Sequence, residues 1–156
     1  MPMTRQQIRA QAERQRYEAE RHKPPTRKQA QAWLAPIRKA LAELRTGEVD
    51  SHRGYAITRI HWADNDFARI DHAINGFLAL MDNLMGDTLD TWPMRKMSQK
   101  LAAGILLTLD EVDTCILLLK KVEDRLMQFT RAELKSAADT EMIKIELEQL
   151  GLLEAA

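Results

Sequence analysis

The chain contains few of the residues that build sheets and turns. Only 5% of its 156 residues are aromatic, and it has six glycines and five prolines. A β-sandwich needs more turn residues than this, because each of its short strands ends in a turn. The apolar content of 45% comes mainly from Ala, Leu, Ile and Met, which favour helices. The sequence therefore predicts an all-α fold, a compact multi-helix bundle.

Disulfides and membrane spans are also missing. Cys115 is the only cysteine, so an intrachain disulfide is excluded, and its apolar neighbours predict a buried, inert thiol. The longest apolar run without a charge, residues 101–107, is too short to cross a bilayer. Residues 1–7 lack the apolar core of a signal peptide. We expect a cytoplasmic protein that does not contact a membrane.

The charges sum to zero but are unevenly distributed. Residues 1–28 contain eight Lys or Arg against three Glu, and the compensating acidic excess follows residue 108. Residues 4–22 are good helix formers with little to bury, and Pro24 and Pro25 end that segment. The sequence predicts a basic helical arm over residues 1–23 and a helical domain over residues 24–156.

The arm is a candidate binding surface. A helix that is polar nearly all round is either a solvated surface element or is ordered by a partner. Its cations could contact phosphates or an acidic protein surface. The predicted partner-binding cations are Arg5, Arg9, Arg16, Arg21 and Lys23.

Helix signals punctuate the rest of the chain. Thr26 with Gln29 forms a capping-box pattern that opens a helix ending at Gly47, and Trp33 is predicted to lie in its core face. Residues 48–59 have β-branched residues around a turn-like centre, so they predict either a short hairpin or a structured loop.

Residues 60–85 predict one long amphipathic helix around which the others pack. Its polar side carries carboxylates and imidazoles, the ligands of divalent metals. His61 and His72 would lie about 16 Å apart along the helix, too far to share one ion. We therefore predict no metal and no cofactor, and interpret this side as a second partner-binding surface comprising Trp62, Asp64, Asp66 and Asp71.

No catalytic signature is present. The serines lie in no nucleophile elbow, and the glycines form no phosphate-binding loop. The sequence predicts a protein that is not an enzyme.

One helix predicts self-association. Thr108 with Glu111 opens a helix running to about Phe129, in which the run of residues 115–119 is apolar on every side. Leu117 and Leu118 point away from the core stripe and need a second cover. We expect a homodimer whose interface includes Leu117, Leu118 and Lys121.

Two runs carry a family resemblance: KPPTRKQAQAWLAPIRKAL over residues 23–41 and GYAITRIHWADNDFARIDHAI over residues 54–74. They resemble small helical accessory proteins carried by temperate phages and prophages of proteobacteria. Some of these proteins are anti-CRISPR inhibitors of type I-F surveillance complexes. The likeness spans most of residues 23–153 and assigns no functional residue. It implies a small cytoplasmic inhibitor, often homodimeric, that covers a protein surface used by target DNA or by a recruited nuclease.

The predicted function follows from this likeness together with the missing chemistry. We expect a non-catalytic, phage-type inhibitor that binds a host nucleoprotein defence complex, a CRISPR–Cas surveillance complex, and blocks target DNA binding or nuclease recruitment. The alternative is a phage accessory or regulatory protein that binds nucleic acid through its basic arm.

Overall fold

The computed structural model describes residues 2–59 and 67–149. This part of the chain forms six α-helices and a three-stranded antiparallel sheet, which confirms the all-α class with its short hairpin. The helices are α1 (Arg5–Arg21), α2 (Arg27–Thr46), α3 (Ile70–Met85), α4 (Trp92–Ala102), α5 (Leu109–Leu126) and α6 (Arg131–Gln149), and the strands are β1 (Asp50–His52), β2 (Tyr55–Arg59) and β3 (Phe67–Arg69). None of the described helices combines the length and apolarity needed to cross a bilayer.

The predicted helix starts are confirmed by their caps. The Thr26 hydroxyl accepts a hydrogen bond from the backbone N–H of Gln29 at 3.2 Å, and the Gln29 side chain accepts one from Thr26 N at 3.0 Å. Thr108 and Glu111 repeat this reciprocal pair at the start of α5. At the other end of α2, Gly47 adopts the left-handed conformation with φ 77°, which a residue without a Cβ adopts easily.

The hairpin interpretation of residues 48–59 is also confirmed. Arg53 and Gly54 both have positive φ, 52° and 85°, which is the signature of the type I′ turn that suits the twist of a two-residue hairpin. The register pairs His52 with Tyr55. The sequence did not predict the third strand, β3, which pairs with the other edge of β2.

Strand β3 corrects the prediction of one helix over residues 60–85. Residues 67–69 belong to the sheet, so α3 begins at Ile70, and residues 60–66 lie outside the described part of the chain. The apolar stripe of α3 itself is as predicted, because Ile70, Ile74, Leu78, Met81 and Met85 are all buried.

Five helices, α2 to α6, contribute buried side chains to the core. Helix α5 packs along α2 and α4, while α3 packs against α4 and α6. The largest fully buried side chains are Leu34, Leu41, Ile70, Ile74, Met81, Met94, Met97 and Leu119. Each contributes about 1.5–3 kcal/mol relative to an exposed position. Cys115 lies among them, fully buried, and burial raises the pKa of its thiol to about 11, which fits the predicted inert thiol.

Ion pairs join α2 to α5 beside this core. Glu123 is 7% exposed and accepts hydrogen bonds from Arg38 at 2.7 Å and from Arg27 at 2.5 Å. These two guanidinium groups, Arg38 first, hold the pKa of the Glu123 carboxyl below its ordinary value. A further ion pair, at 2.7 Å, joins Arg45 in the last turn of α2 to Asp113 near the start of α5. The pairs fix the register in which the two helices lie side by side.

Candidate functional site

The predicted arm exists as helix α1. Thr4 and Gln7 form a capping box at its N-terminus, and none of its residues is buried. Its attachment to the domain lies at its C-terminal end, where the Arg131 guanidinium binds the Glu20 carboxylate at 2.8 Å. The backbone N–H of Arg131 also donates to the carbonyl of Lys23 at 3.0 Å. The helix therefore leaves its N-terminal turns open to a partner.

Three of the five predicted arm cations form a stripe. At 100° per residue, Arg5, Arg9 and Arg16 fall within about 40° of one another. The rise from Arg5 to Arg16 is about 16 Å. None of the ion pairs in the described part of the chain involves these three residues, and all three are exposed. We call Arg5, Arg9 and Arg16 the arginine stripe.

The other two predicted arm cations already have carboxylate partners. Arg21 binds Glu18 at 3.1 Å, and Lys23 binds Glu20 at 3.2 Å. The hydrogen bond from Lys23, with a further contribution from Arg131, lowers the pKa of the Glu20 carboxyl. These pairs neutralise the end of α1 that joins the domain, so the excess positive charge lies over residues 5–16, which contain four arginines and one glutamate, Glu13.

The arginine stripe can bind a polyanion. A guanidinium group binds a phosphate or carboxylate through two parallel hydrogen bonds and keeps its charge at any physiological pH. Three such groups along one side of a helix suit a row of phosphates, although nothing in the arm supplies a pattern for reading base edges. Tyr17 is exposed on a different side of α1 and lies under the Arg21 guanidinium, 5.9 Å from ring centre to carbon.

The second predicted binding surface is only partly described, and one of its residues is corrected. Trp62, Asp64 and Asp66, with His61, lie outside the described residues. Asp71 is 3% exposed and cannot face a partner, so its assignment to an exposed acidic row is wrong. Its carboxylate accepts two hydrogen bonds from Arg69, at 3.0 and 2.7 Å.

Asp71 instead belongs to a polar joint between the sheet and the helices, which sequence reasoning missed. The Arg69 guanidinium stacks on the Tyr55 ring at 3.5 Å from its centre while it binds Asp71. The Ser98 hydroxyl of α4 lies 2.6 Å from the side-chain oxygen of Asn75 and contacts the Asp71 carbonyl at 3.2 Å. The sequence signal for this joint was an Arg placed two positions before an Asp at the start of a helix. The joint is built for stability, because its charged groups are matched.

The predicted dimer residues separate into two environments. Leu117 and Lys121 are exposed on α5, as the prediction requires. Leu118 is 6% exposed and belongs to the core, so its assignment to a dimer interface is wrong. It lies on the side of α5 that carries Glu111, which binds Lys100 of α4 at 2.8 Å. The covering element is thus α4 of the same chain.

An apolar groove of about 430 Å³ lies between α2, α3 and α6. The exposed Trp33 ring lines this groove, which corrects its predicted place in the core, and Phe77 and Leu84 of α3 line it as well. Trp33 lies about 55° from the centre of the buried stripe of α2, within the angular range that the buried residues cover, so the helical pattern gave no signal for its exposure. Arg131 and Lys135 stand at the groove's rim.

The described residues contain no cluster of three His, Cys, Asp or Glu side chains placed to hold a metal ion. Comparison with protein-family models, curated proteins and solved structures found no match to this chain. The arginine stripe, three exposed guanidinium groups without an ion-pair partner among the described residues, is the candidate site.

Proposed function

We propose that this protein is a non-catalytic inhibitor that docks on a host nucleoprotein complex through the arginine stripe. The complex is a CRISPR–Cas surveillance complex, the target implied by the resemblance, and the blocked step is target DNA binding or nuclease recruitment. The observation that carries the proposal is a solvent-exposed helix with three arginines on one side and no carboxylate partner for them among the described residues.

Two features of the arm support docking. Because α1 buries none of its own residues, a partner can cover its sides without disrupting any packing inside the protein. Because the capping box and good helix formers set its backbone before binding, less ordering entropy is lost on association. A nucleoprotein offers what the stripe needs, a row of phosphates fixed on a protein surface.

The test measures inhibition with a charge-matched control. Purified type I-F surveillance complex is titrated with this protein while its binding to labelled target DNA is followed. We expect the triple variant Arg5→Gln, Arg9→Gln, Arg16→Gln to need about tenfold more protein for half-inhibition, because three exposed ion pairs at 0.2–1 kcal/mol each are lost. The control variant replaces three exposed lysines of the domain that have no ion partner in the described residues: Lys28→Gln, Lys96→Gln and Lys135→Gln.

The control keeps the same net charge as the arm variant, so it should inhibit like the unmodified protein. Equal weakening by both triple variants would mean that general charge, not the arginine stripe, drives the association. No inhibition by the unmodified protein would reject the proposed target outright.

The arginine stripe also favours a second candidate function, direct binding of nucleic acid. If each arginine contacts one phosphate, the triple glutamine variant should reduce the slope of log affinity against log salt by about 2 to 3. Fluorescence anisotropy with a 30-base-pair duplex at several salt concentrations measures this slope. A slope that the arm substitutions leave unchanged would eliminate the arm as the nucleic-acid contact.

A further inference from the structure

The outer side of α5 and the loop before it expose large apolar residues. Leu106 is 92% exposed, while Leu109 and Leu117 are 55% and 58% exposed. Ile105 adds a fourth apolar side chain beside them. By contrast, the inner side of α5 is buried from Val112 to Leu126. We call this set the α5 outer face, and all of its members except the half-buried Asp113 are exposed: Ile105, Leu106, Leu109, Asp110, Asp113, Leu117, Lys120 and Lys121.

The charges on this face are divided between its two ends. Asp110 lies in the first turn of α5, whereas Lys120 and Lys121 lie in its second half. None of these three side chains has an ion partner among the described residues. Asp113, midway along the face, is already bound by Arg45 at 2.7 Å. Asp124, one turn after the lysines on the same side of α5, is already bound by Arg27 at 3.1 Å. An occupant that neutralises the remaining charges must therefore present a base near Asp110 and an acid near the lysines.

We infer that the α5 outer face binds the same face of a second copy of this chain, with the two α5 helices antiparallel and the two-fold axis beside Asp113. Leu109 and Leu117 are equally distant from Asp113, so each leucine of one copy meets the other leucine of the second copy. A two-fold contact needs this kind of self-complementary surface.

The charges favour the antiparallel arrangement over a parallel one. The two Asp113 carboxylates meet at the two-fold axis, but each is already paired with Arg45 of its own chain. Side chains on a helix lean toward its N-terminus. Lys120 of one copy thus leans toward the position that Asp110 of the other copy occupies, and the pair occurs twice. In a parallel pair the aspartates would face each other and the lysines would do the same, which is unfavourable.

This arrangement also sets the spacing of the two arms. Each arm joins its domain near the C-terminal end of α5, where Arg131 holds Glu20 and Arg27 binds Glu123. With the two-fold axis beside Asp113, antiparallel α5 helices place these ends about 39 Å apart, twice the rise of the 13 residues from Asp113 to Leu126. If the proposed function holds, two arginine stripes at that spacing bind one polyanionic surface with an avidity that a single stripe lacks.

Cysteine cross-linking tests the pairing directly. The single native thiol, Cys115, is fully buried, so it does not compete. A mixture of Leu109→Cys and Leu117→Cys proteins under oxidised glutathione should form disulfide dimers several-fold faster than either variant alone, since facing positions bring Cβ atoms within bonding range. Faster self-linking of Leu117→Cys than of the mixture would overturn the antiparallel pairing.

The mass in solution provides the second readout. Light scattering at about 100 µM, a concentration suited to a modest interface, should give twice 17.9 kDa. Leu117→Glu should give a monomer, while Met142→Glu, at an equally exposed residue of α6, should remain a dimer. A monomeric unmodified protein would overturn the inference. The arginine-stripe variant should still dimerise, so failure of the proposed function and failure of the dimer are separately visible.

Discussion

Replacing Asp71 by alanine should lower the free energy of unfolding by about 3 kcal/mol, the lower end of the cost of breaking a buried ion pair. The Asp71 side chain is 4% exposed and accepts both hydrogen bonds from Arg69. Without the carboxylate, the Arg69 guanidinium keeps its stacking on Tyr55 but loses its only counter-charge in the joint. Because Arg69 belongs to β3 and Asp71 to α3, the loss weakens the link between sheet and helices.

The matched control is Asp82→Ala in the same helix. Asp82 also binds an arginine, Arg95, through both carboxylate oxygens, but its side chain is 48% exposed. Water replaces an exposed pair at little cost, so we expect a loss of at most about 1 kcal/mol. Urea unfolding followed by circular dichroism measures both variants. Equal losses for Asp71→Ala and Asp82→Ala would show that burial does not set the strength of the joint.

The parts of the fold that could be predicted from sequence depend on neighbours along the chain. The capping boxes at Thr26 and Thr108 each require residues only three positions apart, and both form as predicted. The positive φ at Arg53 and Gly54 likewise belongs to a two-residue turn. Such features form wherever the local pattern occurs, because all of the interacting groups lie within one turn of the backbone.

Positions at the edges of apolar stripes could not be predicted in this way. Asp71 and Trp33 lie about 60° and 55° from the centres of the buried apolar stripes of α3 and α2. The charged residue is buried and the aromatic one is exposed, the reverse of their ordinary preferences. Asp71 can be buried because Arg69 of β3 supplies its counter-charge, whereas the Trp33 ring is exposed because it lines an open groove. Elements distant in sequence decide both.

The candidate site was predictable in composition but not in pairing. The excess of arginine and lysine in the arm follows from counting. Which cations remain available depends on Glu18 and Glu20, one turn away, and Arg131 further engages Glu20 from the start of α6. That last contact joins residues 111 positions apart in sequence, so only the folded chain shows which end of α1 is attached to the domain.

Leu118→Ala should lower the free energy of unfolding by about 3 kcal/mol, within the range for leucine-to-alanine changes in protein cores. Leu118 is 6% exposed and packs in the core on the α4 side of α5. Shortening it removes apolar contacts and leaves a cavity, since neighbouring helices can relax only in part. Urea unfolding at a protein concentration where light scattering detects only monomer measures this effect without a contribution from self-association.

Leu117→Ala is the control, one residue away on the same helix. Leu117 is 58% exposed, so the same change in the monomer should alter stability by no more than about 0.5 kcal/mol. The two variants thus separate two roles that the sequence could not distinguish: Leu118 stabilises the fold, and Leu117 is free for another surface. A stability loss at Leu117 as large as that at Leu118 would mean that the outer side of α5 is already covered within one chain, and the inferred second copy would have no face left to bind.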